Sequence, residues 1–190
     1  MNRKLCSIAA AALAASLLQG CFPLAVTGVG TAALMATDRR TSGTYIEDET
    51  IEWKVFGRLR DRFPGAHVNA TSYNRRVLLT GEVPGEEAKK KIEEEVRTIE
   101  NVKEVTNELQ VSGAASLASR GSDSLITSNV KARMVNNAKV SPTNVKVLTE
   151  AGVVYLMGLV TQEEGDAAVE VARNTSGVVR VVKVFEYTGK

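Results

Sequence analysis

The alternation of apolar and polar positions is written twice along this chain. Ile51, Val55 and Leu59 recur at every fourth residue, the spacing of one helix face, and Ile126, Val130 and Met134 repeat that stripe 75 residues later. Val77 to Val83 (Val-Leu-Leu-Thr-Gly-Glu-Val) recurs as Val154 to Val160 (Val-Tyr-Leu-Met-Gly-Leu-Val). Further on, Ile92 corresponds to Val169, and Val102, Val105 and Leu109 correspond to Val178, Val181 and Phe185. A spacing of apolar positions kept over such a length means two copies of one small domain.

Each copy reads helix, strand, strand, helix, strand. In the first, acidic Glu47, Asp48 and Glu49 suit the start of a helix that carries Ile51 to Phe63 and stops at Pro64-Gly65. Val68 to Tyr73 and Arg76 to Val83 form a hairpin around Asn74-Arg75, the second strand ending at Gly81. Gly85 to Ile99 is a charged helix with Ala88, Ile92, Val96 and Ile99 on its buried stripe, and Val102 to Val111 is the last strand. The second copy predicts a helix over 124–137 with Asp123 as its N-cap, strands over 144–149 and 153–160, a helix over 162–175 and a strand over 178–187. The strand-helix-strand passage requires a right-handed crossover and a parallel pair. The expected class is α+β: two tandem units, each a three-stranded mixed sheet with two helices on one face. A unit this short is marginal alone, so the copies are expected to pack together.

The rest of the chain reads as an address and connections. Arg3 and Lys4 precede an apolar run from Leu5 to Leu18, shorter than the roughly 20 residues a spanning helix needs. Residues 1–20 therefore read as a secretory signal, 21–45 as an anchor and tether, 46–112 as the first domain, 113–121 as a Ser/Gly/Ala linker and 122–190 as the second domain. Leu18-Gln19-Gly20-Cys21 resembles the lipobox of bacterial lipoproteins. That resemblance implies acylation of Cys21, and Phe22 after it, in place of the Asp associated with inner-membrane retention, implies an outer-membrane destination facing the periplasm. Several acyl chains make a firm anchor without a membrane-spanning helix.

Removing Arg3 and Lys4 takes the 24 basic residues to 22, level with the 22 acidic ones. A neutral chain with a periplasmic address argues against nucleic acid as a partner. With Cys6 in the signal and Cys21 acylated, no cysteine remains for a disulfide. Catalytic chemistry lacks its groups: the single histidine, His67, reads as a surface or strand-edge residue, and no cluster suggests a metal or cofactor. Lys89-Lys90-Lys91 followed by Glu93-Glu94-Glu95 reads as a solvated helix face. Gly81 and Gly158 are too isolated for a phosphate loop and are expected to be structural, at a bend or a close backbone approach.

The helix-strand-strand-helix-strand unit, its Val-x-Leu-x-Gly-x-Val second strand and the Asn101-Val102 and Gly177-Val178 steps before the last strand resemble the BON domain. Two such units behind a lipobox resemble the dual-BON outer-membrane lipoproteins, a division- and outer-membrane-stress-associated lipid-binding family. The resemblance implies a non-enzymatic envelope protein that binds anionic phospholipids such as phosphatidylglycerol and cardiolipin and supports the outer membrane at the division site.

The copies divide the charge unevenly. The first, from Glu47 to Val111, holds 14 acidic and 11 basic residues, and the second, from Ser122, holds 7 and 8. The first helix of copy two also has a second uncharged stripe, Leu125, Ser128, Ala132 and Val135, with Lys131 and Arg133 at its margins. That stripe is expected to meet lipid, apolar residues between headgroups and cations on phosphates. Packing on copy one or the tether is the competing use. In the family that the chain resembles, the position of Leu125 tends to hold an aromatic residue. Trp53 lies off the core stripe of its own helix and is expected to pack between the domains in preference to meeting the membrane. The alternative function is a periplasmic scaffold whose acidic first domain docks an envelope protein.

Overall fold

The structure, a computed structural model, describes residues 38–111 and 117–189. Cys21, the signal and most of the tether lie outside the described residues. The two repeats fall in one compact unit.

The elements of the first repeat are α1 (Ser42–Arg62), β1 (His67–Tyr73), β2 (Arg76–Val83), α2 (Glu86–Arg97), β3 (Glu104–Asn107) and β4 (Gln110–Val111). Those of the second are α3 (Leu117–Val135), β5 (Val145–Glu150), β6 (Val153–Val160), α4 (Gln162–Arg173) and β7 (Arg180–Tyr187). β1 and β2 pair antiparallel, and β3 and β4 both run parallel to β2. β5, β6 and β7 repeat the arrangement. The expected last strand of copy one is broken because the Asn107 side chain accepts from the Leu109 amide and donates to Glu93 and to the Lys89 carbonyl.

Each sheet buries one face under its own helices. Ile51, Val55 and Leu59 of α1 and Ile92 and Val96 of α2 meet Val77, Leu79 and Val83. Ile126, Val130 and Met134 of α3 meet Val147, Val154, Leu156 and Phe185. The other faces meet each other. Tyr73 and Leu78 of the first sheet join Val153, Tyr155 and Met157 of the second in a third core, flanked by Leu148, Leu159, Val182 and Val184. The result is helices, sheet, sheet, helices. Each buried side chain of this shared core contributes roughly 1.5–3 kcal/mol, which is how two marginal units support one another. Burial also pushes the Tyr73 and Tyr155 hydroxyls up to about 12.

Polar links rim this interface. Asn69 donates to Glu150 at 3.1 Å, Asn74 to Glu186 at 2.7 Å, and Lys146 pairs with Glu52 at 3.0 Å. Before α1, the Arg39 guanidinium donates to the Leu159 carbonyl at 3.0 Å and pairs with Glu164, whose carboxyl it holds below its ordinary range.

Three expectations are corrected. α1 begins at Ser42, capped by the Thr41 hydroxyl on the Thr44 amide at 3.1 Å, so Glu47, Asp48 and Glu49 lie inside the helix. α3 begins at Leu117, within the segment read as linker, and Asp123 is an interior residue of it, not an N-cap. Trp53 does not pack between the domains: it is 69% exposed, because the apolar core between the domains is made by sheet faces.

The two aspartates belong to the hairpins. Asp48 is buried and accepts from the Asn74 and Arg75 amides at 2.8 and 2.7 Å, from the Ser72 hydroxyl at 2.7 Å and from Arg40 at 2.9 Å. Asp123, its counterpart 75 residues on, accepts from the Ala151 and Gly152 amides at 2.9 and 2.8 Å. Asn74, Arg75 and Ala151 all have left-handed backbones, φ 52°, 66° and 50°, which side-chain-bearing residues adopt at a cost. A helix carboxylate that gathers both turn amides offsets that cost. The same carboxylate ties the first helix of each repeat to its hairpin.

Candidate functional site

α3 is the element on which the sequence placed the lipid face. Its core stripe is filled, with Ile126, Val130 and Met134 at 8%, 0% and 1% exposure. Leu125 and Val135 stand 68% and 67% exposed, and Ser128, Lys131, Ala132 and Arg133 are exposed or partly exposed with them. The Ser128 hydroxyl turns back onto the Ser124 carbonyl at 2.9 Å, so it presents no free donor. Arg133 donates to the Asn174 carbonyl at 2.7 Å, at the C-terminal end of α4, where a cation meets the negative end of the helix dipole. Lys131 forms no ion pair among the described residues. The six residues thus form an outward strip without carboxylates, in which Arg133 is partly engaged and Lys131 is not.

One apolar residue joins this end of the molecule without a helical signal. Val179, 80% exposed, donates its amide to the Gly152 carbonyl at 2.9 Å, and Gly152 is the turn residue held by Asp123 of α3. Its counterpart in copy one is Lys103, whose amide meets the Arg75 carbonyl. Substitution of Lys by Val at one position of the repeat was the available signal.

Gly81 and Gly158 do not end their strands as expected: β2 and β6 each continue for two residues beyond them. A Cβ on Gly81 would lie 2.1 Å from the His67 carbonyl oxygen, and its φ of +114° is itself disfavoured for other residues. On Gly158 a Cβ would lie 2.3 Å from the Asn144 carbonyl oxygen. In both repeats the neighbouring strand passes too close for a side chain. His67 is partly buried, 3.2 Å from the Glu82 carboxylate across the β1–β2 pair. The Glu150 carboxyl is raised first by burial and further by Glu82 and Asp123. No group of acidic, histidine or cysteine residues able to hold a metal occurs among the described residues. Nor, among them, is any helix long and apolar enough to cross a membrane.

The model of the BON domain matches residues 47–113 and again 122–189. The chain belongs to the BON family. Among relatives of the tandem BON chain, the outer membrane lipoprotein DolP of Haemophilus influenzae is 45% identical over 173 residues, 90% of either chain. A 21 kDa hemolysin of Actinobacillus pleuropneumoniae is 35% identical over 79% of either chain. The osmotically-inducible protein Y of Escherichia coli is 28% identical over 73% of this chain and 72% of its own. The tandem BON chain is accordingly of the outer-membrane lipoprotein kind.

Proposed function

We propose that this is a non-enzymatic lipoprotein of the outer membrane, anchored through acyl chains on Cys21, whose second BON domain binds anionic phospholipid through α3. The observation that carries the reading is the pair Leu125 and Val135, two thirds exposed on a helix whose core stripe is already satisfied. Burying a leucine contributes roughly 2 kcal/mol, and a cation close to an anionic surface about 1 kcal/mol. Leu125, Val135 and Lys131 together favour a weak, salt-sensitive contact with phosphatidylglycerol or cardiolipin. An acyl anchor makes a weak contact sufficient, since it holds the domain near the bilayer at high effective concentration. The positions of α1 that correspond to Leu125, Lys131 and Val135 are Thr50, Phe56 and Arg60, on a helix that also carries Glu47, Glu49 and Glu52. The contact is therefore specific to the second copy. Within the same reading the protein supports outer-membrane integrity at the division site, as the family resemblance implies.

Co-sedimentation of the unacylated chain, with Cys21→Ser as the parent, with phosphatidylglycerol and phosphatidylcholine vesicles at two salt concentrations tests the reading. Leu125→Glu should abolish binding to anionic vesicles while circular dichroism shows a folded chain. Lys131→Glu should weaken binding, and added salt should narrow its difference from the parent. Normal binding by folded Leu125→Glu would refute the assignment.

A further inference from the structure

The first repeat carries a groove that the lipid reading does not use. It lies between α1 and β1 and encloses about 900 Å³. Its helix wall presents Glu49, Trp53, Phe56 and Arg60, one residue per turn. Trp53 and Phe56 are 69% and 54% exposed and meet edge to face at 6.3 Å, with the Arg60 guanidinium 5.6 Å from the Phe56 ring. The equivalent positions of the second repeat, 75 residues on, have another character: Ser124, Ser128, Lys131 and Val135 replace Glu49, Trp53, Phe56 and Arg60. The aromatic wall belongs to the first copy alone.

The opposite wall is the backbone of an edge strand. Among the described residues β1 pairs with β2 alone. The Ser72 amide donates to Glu52 at 2.7 Å and its carbonyl accepts from Lys146 at 3.4 Å, so both groups point away from β2. The two-residue period of a strand aims the amides and carbonyls of Ala70 and Val68 the same way. Among the described residues no hydrogen bond from another element reaches either of them. Lys146 closes the Ser72 end, and two residues of open edge remain beside two exposed aromatic rings. Open edge strands next to a side-chain groove are the geometry by which sheets take up extended peptides.

We propose that this groove binds an extended peptide segment of a partner protein, added as a strand along Val68 and Ala70. An aromatic or branched aliphatic side chain of the peptide lies against Trp53 and Phe56. Charge sets its polarity. α1 and β1 run in opposite directions, since Glu52 reaches Ser72 while the α1 C-terminus leads through residues 63–66 into His67. Glu49 therefore lies toward the Ser72 end and Arg60 toward the Val68 end. Glu49 has no ion pair among the described residues, and Arg60 pairs there only with its exposed neighbour Asp61. The peptide that complements the groove has a cation at one end, an apolar centre and a carboxylate at the other.

The probe is a displayed library of random nonapeptides, selected on the full chain in detergent micelles. Enriched peptides are synthesised and titrated by the fluorescence of Trp53, the single tryptophan. We expect enriched peptides to have the basic-apolar-acidic order, in either direction. Phe56→Ser should weaken them by about tenfold or more. Ala70→Pro, which removes an outward amide that an edge strand can spare, should do the same. Amide exchange at Val68 and Ala70 should slow in the complex. If Ala70→Pro unfolds by circular dichroism, Phe56→Ser and the exchange measurement decide. Absence of enrichment, equal binding by Phe56→Ser, or protection at other amides overturns the proposal. So does loss of phosphatidylglycerol vesicle binding by Phe56→Ser in the unacylated Cys21→Ser chain, which would assign the aromatic pair to the membrane. Leu125→Glu should leave peptide binding unchanged, which separates this groove from the lipid face.

Discussion

Replacing Asp48 by alanine should be the most damaging truncation of a polar side chain in α1, and more damaging than the same change at Asp123. Asp48 serves four donors: two turn amides, the Ser72 hydroxyl and the Arg40 guanidinium. Each stranded donor costs about 1–3 kcal/mol, with the half-buried turn amides at the low end because water reaches them. Arg40 retains Asp38, so it adds less than the roughly 3–5 kcal/mol typical of a fully orphaned buried charge. The sum is about 4 kcal/mol for Asp48. Asp123 serves the two turn amides of its hairpin, and the same reasoning puts Asp123→Ala near about 2 kcal/mol. Against a total stability of roughly 5–15 kcal/mol, the first loss is severe. Urea denaturation followed by circular dichroism reads the difference: with a slope of about 1–3 kcal/mol per molar, Asp48→Ala should lower the midpoint by about 2 M and Asp123→Ala by about half that. Adding Arg75→Gly to Asp48→Ala should restore part of the loss, since glycine adopts the left-handed turn without help. Equal midpoints for the two aspartate variants would refute the view that these carboxylates hold the hairpins.

Gly81→Ala should lower the melting temperature more than Gly158→Ala, because the first meets both a positive φ and a carbonyl 2.1 Å away while the second meets the close carbonyl alone. The backbone strain accounts for about 1–3 kcal/mol of that difference, and melting temperatures at or above the parent's for both variants would contradict it. Cys21→Ser should release the chain from the outer membrane in fractionated cells, because a two-thirds exposed leucine and a lysine further along the same helix are too little to anchor it. Retention at the parental level would show that acylation is not the anchor.

The fold was legible in the chain because its signals are local and doubled. Helix stripes such as Ile51, Val55 and Leu59, the alternation through β1 and the glycines that let strands approach each recur in the second copy, so a chance pattern in one is checked by the other. Leu125 was legible as a noncore residue of α3 for the same reason: a helix needs one buried stripe, and a second apolar one stands out. The partnership of the sheets was written more faintly. Val153 to Val160 has no charged residue, the mark of a strand covered on both faces, but nothing in it says which surface supplies the second cover. That depends on the shape and side-chain chemistry of two sheet faces brought together from distant segments. Asp48 and Asp123 show the same limit. An acid near the start of a predicted helix reads as a cap or a dipole partner, and only the packing of α1 and α3 on their hairpins brings turn amides 26 to 29 residues away within reach. Trp53 was misplaced because the sequence identifies a residue as outside one core without saying whether another core exists to receive it. Periodicity along the chain determined the elements, their order and their buried stripes; tertiary packing alone decided which remaining faces were covered, because covering a face requires a partner that periodicity does not name.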